Sequence, residues 1–92
     1  MAVQVRIPPV LRKYTAGSTT VTSNGKTIAE VLAELEQEYG GLRGQLKDEQ
    51  GQLHRFINVY RNGEDIRYLE RLNTPVDEGD VVAILPAIAG GA

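Results

Sequence analysis

The chain has 92 residues, a formal net charge of −2, no cysteine and one histidine, His54. This length accommodates one small domain that buries roughly 60–65% of the surface of its unfolded chain. The lack of cysteine excludes disulfides, thiolate nucleophiles and thiolate metal ligands, and a single histidine argues against a zinc site or a catalytic triad. The net charge offers no basic surface for nucleic acid or for an anionic membrane.

The N-terminal sequence MAVQVRIPPV has no long apolar run of the kind found in signal peptides. The longest apolar stretch, residues 81–89, is interrupted by Pro86 and is too short to cross a bilayer. From the sequence we therefore expect a cytoplasmic protein without a membrane-spanning segment.

Two short strands are predicted at the start of the chain. Residues 3–7 alternate between apolar and polar side chains until Pro8 and Pro9, a pattern typical of a strand with one solvent-exposed face. Residues 19–22 are rich in β-branched side chains and are predicted to form the antiparallel partner of that strand.

An amphipathic helix is predicted over residues 28–39. Thr27 and Glu30 have the spacing of a capping box, in which each side chain hydrogen-bonds to the backbone near the other. Gly40-Gly41 is expected to end the helix in a left-handed conformation. The apolar residues at helical spacing are Ile28, Val31, Leu32, Leu35 and Tyr39.

The second half of the chain contains the remaining strands. They are predicted over residues 56–61, 66–68 and 81–85, after a polar link at 41–52. Asn62-Gly63 predicts a tight turn between the first two. The carboxylates of the turn at 77–80 are interpreted as solvated or bound to backbone groups, or alternatively as steering the protein toward a basic partner.

A single amphipathic helix can cover only one face of a sheet, so we predict an α+β roll with a mixed sheet and one main helix. Residues 1–86 form this domain. The predicted core residues are Ile28, Val31, Leu32, Leu35, Ile57, Val59, Val82 and Ile84.

The last strand places Leu85 on the face that the helix cannot cover. An apolar patch of Leu85 with Phe56 and Tyr60 would form a docking surface for another protein. The alternative is that the loop at residues 9–18 packs over Leu85, and the sequence leaves both interpretations open. His54 is interpreted as a partly exposed structural residue, because no second catalytic group accompanies it.

The segment after the last strand is small and uncharged. Pro86 is expected to end strand pairing and to direct an extended, flexible tail, residues 87–92, away from the domain. A tail without long side chains fits a narrow active site of another protein, where its terminal carboxylate would be the reactive group. On composition alone an inert tail is the simpler interpretation. The proposed insertion residues are Pro86, Ala87, Ile88, Ala89 and Gly90.

The C-terminal third resembles the ThiS/MoaD family of ubiquitin-like sulfur carriers. The resemblance rests on Leu72, Thr74-Pro75-Val76, Glu78-Gly79-Asp80, Val82, Ile84, Pro86 and Gly90-Gly91. Within the family, LHRFINVYRNGEDIR and ILPAIAGG are similar to the CysO branch, which serves cysteine biosynthesis. The resemblance implies the ubiquitin-like β-grasp fold over nearly the whole chain.

The resemblance also implies a reaction cycle in which the chain is a protein co-substrate, not an enzyme. An E1-like adenylyltransferase would use ATP to activate the carboxylate of Gly91, and sulfur would replace AMP to give a thiocarboxylate. The carrier itself would bind no cofactor. In the CysO branch the acceptor is a pyridoxal-phosphate cysteine synthase, and a metallopeptidase later frees cysteine from the tail.

Ala92 departs from the family pattern, because it follows the diglycine. We expect a peptidase to trim Ala92 before Gly91 is activated. Two other functions stay open: a ubiquitin-like modifier joined through Gly91 to lysines of target proteins, and an interaction module with an inert tail.

Overall fold

The computed structural model describes residues 2–87. Its five strands form one mixed sheet in the order β2-β1-β5-β3-β4, with β1 parallel to β5 and the other neighbours antiparallel. A single α-helix, α1 (Ile28–Glu38), packs on one face, which confirms the predicted architecture. The strands are β1 (Val3–Arg6), β2 (Thr20–Ser23), β3 (Ile57–Arg61), β4 (Glu64–Asp65) and β5 (Val81–Pro86).

Helix α1 begins at the predicted cap. The Thr27 hydroxyl accepts a hydrogen bond from the Glu30 backbone N–H at 3.2 Å. The Glu30 carboxylate reaches back one residue further than a standard capping box and accepts from the Lys26 N–H at 2.9 Å. Two of the N–H groups at the start of the helix region are thereby satisfied by side chains, which fixes where the helix starts.

The prediction of a left-handed stop at Gly40-Gly41 is wrong. Neither glycine has a positive φ, and residues Gly40–Leu42 continue as a turn of 3₁₀ helix. Gly41 serves a packing purpose instead, because a Cβ atom at this position would lie 2.8 Å from Tyr14 Cδ1. The loop that contains Tyr14 can therefore lie directly against the chain that leaves α1.

The prediction of a strand at residues 66–68 is also wrong. Strand β4 comes earlier, because Asn62 and Gly63 both adopt left-handed φ values, 49° and 86°, and turn the chain within two residues. The Asp65 carboxylate then accepts the Arg67 N–H at 2.9 Å. This bond starts a 3₁₀ turn over Ile66–Tyr68, whose apolar spacing resembled a strand.

The core lies between α1 and the sheet. All eight predicted core residues are buried, and Leu42, Leu46, Ile66 and Val76 join them from segments without regular strands. Val82 and Ile84 of β5 are 0% and 1% exposed. Strand β5 is the central strand of the sheet. Its buried side chains and its pairing with β1 and β3 both hold it in place.

Candidate functional site

The tail leaves the sheet at the end of β5. We call the three residues at this point the tail root: Phe56, Pro86 and Ala87. Pro86 lies opposite Ile57 in the register with β3, and the Ala87 N–H donates to the Phe56 carbonyl at 2.8 Å. The prediction that Pro86 ends strand pairing is therefore wrong for the pairing with β3. The Pro86 nitrogen, which carries no hydrogen, faces the β1 side of β5. The last β1–β5 pair is Arg6 with Ala83, before Pro86, so the proline removes no hydrogen bond from the sheet.

Residues 88–92 lie outside the described part of the structure. The proposed insertion residues Ile88, Ala89 and Gly90, the reactive Gly91 and the extra Ala92 belong to this segment. Their roles stay predictions, and the structure defines only the point from which they depart.

The sheet face opposite α1, called here the open face, carries the three proposed docking residues. Leu85 is 44% exposed and pairs across the strands with Asn58. Tyr60 pairs with Ala83 on the same face and is half-buried. Phe56 is 52% exposed and lies at the tail root. The strand register therefore gathers apolar side chains next to the point where the tail departs.

The loop at residues 9–18 packs on the other side of the sheet. Leu11 is buried in the core, and Tyr14 packs near Gly41 beside the end of α1. Leu85 consequently keeps its exposure, so the alternative in which this loop covers Leu85 does not describe the structure.

The side chains of His54 and Arg55 both lie close to the Phe56 ring. The His54 and Phe56 ring centroids are 5.0 Å apart, and the Arg55 guanidinium lies 5.0 Å from the Phe56 centroid. The Phe56 N–H donates to His54 Nδ1 at 3.3 Å. His54 is therefore engaged in local structure, and among residues 2–87 no group of three histidine or carboxylate side chains could hold a metal ion.

The opposite end of β5 is built from charged side chains. The Asp80 carboxylate accepts from Arg61 Nε at 2.9 Å, Asn62 Nδ2 at 2.9 Å and the Asp77 N–H at 2.8 Å. These bonds, with the Asn62 amide first, lower the pKa of Asp80. Asn62 Oδ1 in turn accepts the Val81 N–H at 2.9 Å. Asp80 thus joins the β3–β4 turn to the start of β5.

The sequence analysis interpreted the carboxylates of the turn at 77–80 as solvated or bound to backbone groups, so it missed the side-chain part of this network, the bonds from Arg61 and Asn62. The available signal was the presence of two turn motifs, Asn62-Gly63 and Glu78-Gly79-Asp80, which an antiparallel β3–β5 pair brings to one end of the sheet.

A separate ion pair lies at β4, where the Arg67 side chain binds the Asp65 carboxylate at 2.7 Å and lowers the pKa of Asp65.

Comparison with known proteins places this geometry in a family. The sequence matches the ThiS family over residues 5–91, and the chain belongs to that family. It is 45% identical to the sulfur carrier protein CysO of Mycobacterium tuberculosis, over 99% of this chain and 100% of that protein. It is 42% identical to small archaeal modifier protein 3 of Haloferax volcanii, over 71% of this chain and 70% of that protein.

Solved structures agree with the sequence relationship. CysO in the crystal structure of the Amycolatopsis orientalis BexX/CysO complex superposes with a TM-score of 0.89 at 44% identity, covering 98% of this chain and 100% of that chain. The fold is therefore the ubiquitin-like β-grasp. No helix in the described part of the chain is long and apolar enough to cross a membrane.

Proposed function

We propose that this chain is a sulfur carrier for cysteine biosynthesis, activated at Gly91 by an E1-like adenylyltransferase. The observation that supports this most directly is the tail root, where the central strand of a CysO-like domain ends next to an exposed apolar patch. A tail that departs from such a point can be aimed at a partner, because the strand that carries it cannot shift.

The chemistry requires no side chain of the carrier. The Gly91 carboxylate attacks the α-phosphorus of ATP, pyrophosphate leaves, and the carboxylate becomes an acyl-adenylate. A sulfide-level nucleophile, HS⁻ supplied by the partner system, then forms the C–S bond as the C–O bond to AMP breaks and AMP leaves. The product is a thiocarboxylate, whose sulfur passes to the acceptor enzyme. ATP is bound by the activating enzyme, and we propose the cytoplasm as the location of the cycle.

The residues that follow Pro86 suit insertion into such an enzyme. Ala87, Ile88, Ala89 and Gly90 include only one large side chain, so a narrow channel could enclose the backbone. Glycine before the reactive carboxylate permits close approach of partner groups. Activation requires a free carboxylate on Gly91, so Ala92 must first be removed. A metallopeptidase of the kind expected for this pathway would serve for the removal.

Leu85, Phe56 and Tyr60 supply the docking surface in this proposal. Leu85 and Tyr60 lie on the open face beside Phe56 of the tail root, where a partner that receives the tail must approach. The same surface would serve the sulfur acceptor, for which a pyridoxal-phosphate cysteine synthase is our candidate. The existence of a BexX/CysO complex supports the idea that carriers of this kind form stable contacts with partner proteins.

A second candidate function is conjugation to lysine side chains, which the similarity to a small archaeal modifier protein favours. Mass spectrometry of the protein from its native cell separates the possibilities. A sulfur-for-oxygen exchange at the C-terminus supports the carrier, isopeptides with lysine support the modifier, and an intact Ala92 without modification supports an inert interaction module.

The direct test is ATP–pyrophosphate exchange by the activating enzyme with three forms of the chain. The form that ends at Gly91 should be active, the form that ends at Ala92 should be poor, and the form that ends at Gly90 should be inactive. An extra residue displaces the reactive carboxylate by up to ~3.5 Å, and misplacement by about 1 Å can cost on the order of a hundredfold in rate. Equal exchange by the Ala92 and Gly91 forms would refute trimming but not activation.

A further inference from the structure

The length of the tail determines which side chains a partner must contact. Gly91 follows Ala87 by four positions, and an extended chain spans at most about 3.5 Å per residue. The Gly91 Cα therefore lies no further than about 14 Å from the tail root. If Gly91 reaches an active site inside another protein, as the proposed function requires, the mouth of that site must rest against the side chains around the root.

Arg55 places a cation at this position. The guanidinium of Arg55 is held over the Phe56 ring, and within residues 2–87 it forms no hydrogen bond or ion pair. The aromatic ring restricts the side chain without neutralising its charge. The nearby Asp48 accepts the N–H groups of Gln50 and Gln52 on Oδ1, at 2.9 and 3.0 Å, and forms no ion pair with Arg55. Within the described part of the chain, Arg55 therefore presents an unpaired positive charge to a partner at the tail root, although the whole chain is acidic.

We infer that Arg55 docks onto a carboxylate at the mouth of the activating enzyme's tail channel, with Phe56 as the apolar platform. A guanidinium matches the planar geometry of a carboxylate and can form two parallel hydrogen bonds with it. The partner group is not the bound nucleotide, because the nucleotide reacts at Gly91, four positions along the chain from Ala87. Arg55 is therefore a docking residue that contributes to association and takes no part in the chemical step.

This inference rests on the proposed function and deepens it, so its test uses carriers that end at Gly91. We would measure ATP–pyrophosphate exchange by the activating enzyme of the same cell with wild-type carrier and with Arg55→Glu, Arg55→Gln and Arg55→Lys. The matched control is Lys26→Glu, which makes the same charge change at an exposed residue beside Val3 and Glu78, at the other end of the sheet.

We expect Arg55→Glu to raise KM about tenfold or more at low salt, and Arg55→Gln to raise it about threefold, with kcat unchanged. Arg55→Lys should fall between wild type and Arg55→Gln, because lysine keeps the charge and loses the planar pairing. The KM of the wild type should rise more steeply than that of Arg55→Gln between 50 and 300 mM NaCl, as expected for a screened ion pair (~10 Å Debye length at 0.1 M). Lys26→Glu should leave KM within about twofold of the wild type.

Equal KM values for Arg55→Glu and Lys26→Glu would overturn the inference, and so would a lower KM for Arg55→Glu, which would indicate a basic channel mouth. A fall in kcat without a change in KM would assign Arg55 to chemistry and contradict the docking role. Failure of the wild-type carrier to support exchange would count against the proposed function itself, so the two failures are distinguishable. Circular dichroism thermal unfolding confirms that each variant remains folded.

Discussion

The two ends of strand β5 are held by different interactions. At its start, Asp80 accepts hydrogen bonds from Arg61, Asn62 and the Asp77 backbone, and the Asp80 side chain is only 13% exposed. At its end, Leu85 is 44% exposed and Ala87 is tied by a single backbone hydrogen bond to Phe56. The comparison indicates that stability is concentrated at one end of the strand, which leaves the other end free for recognition.

This division has a physical reason. A docking surface must expose apolar groups in the free protein, so it cannot also contribute its full burial energy to folding. The buried residues Val82 and Ile84, together with the polar network at the start of β5, fix the strand in the sheet. The tail root can then carry an exposed patch without letting the strand shift.

The largest expected effect is on stability at the start of β5. Asp80→Ala should lower the free energy of unfolding by about 2–3 kcal/mol, because three donors lose their acceptor and Arg61 keeps a partly buried charge. Urea denaturation measures the change. Glu78→Ala, an exposed carboxylate in the same turn, is the control and should change stability by less than about 0.5 kcal/mol. Similar losses in both variants would show that the network contributes nothing specific.

The next effect is on binding at the end of β5. Leu85→Asp should weaken binding to the activating enzyme about tenfold, or ~1.4 kcal/mol, because a charge replaces an apolar contact on the open face. Its free energy of unfolding should stay within about 0.5 kcal/mol of the wild type, since Leu85 lies outside the core. Isothermal titration calorimetry and urea denaturation test both statements. Unchanged affinity in a folded variant would make Leu85 an ordinary surface residue.

Low pH should weaken the interactions at the start of β5 and leave those at its end unchanged. Hydrogen bonds hold the pKa of Asp80 below the ordinary value of 3.8, so the folded state binds fewer protons than the unfolded state. Its contribution to stability is present above pH 3.8 and is lost as the pH falls through the lowered folded value. Asp65, whose pKa is also lowered by Arg67, adds a loss of the same sign.

Urea denaturation between pH 6 and pH 2.5 tests this expectation. The unfolding free energy of Asp80→Asn should fall less steeply than that of the wild type, because only the Asp65 contribution remains of these two. Parallel pH profiles would show that Asp80 is not a source of the acid sensitivity.

The smallest effect is expected at Pro86. Pro86→Ala should change the free energy of unfolding by less than about 1 kcal/mol, because the proline completes no ladder bond and mainly restricts the unfolded chain. In the exchange assay we expect a KM rise of about threefold or less, since alanine widens the range of directions in which the tail departs. A loss as large as that of Leu85→Asp would mean that Pro86 itself contacts the partner.

Local patterns in the sequence predicted those parts of the fold that depend on short-range physics. The capping residues Thr27 and Glu30, the helical spacing of α1 and the alternation in β5 each follow from neighbouring residues, and the structure confirms them. The errors arose where a short pattern has two solutions. Residues 66–68 could pair as a strand, but the turn at Asn62-Gly63 left only two residues for β4, and Asp65 started a 3₁₀ turn.

The sequence by itself determined helix α1, most of the strands, the core face and the small, uncharged tail, because each depends on residues close together in the chain. Only the tertiary structure decided what the ends of β5 contact. Asp80 meets Asn62 across 18 positions, and Ala87 meets Phe56 across an antiparallel pair. Such contacts depend on strand order and register, which no local pattern specifies. The sequence therefore predicted an exposed Leu85 and a small, uncharged tail, whereas the network at the start of β5 emerged from the assembled sheet.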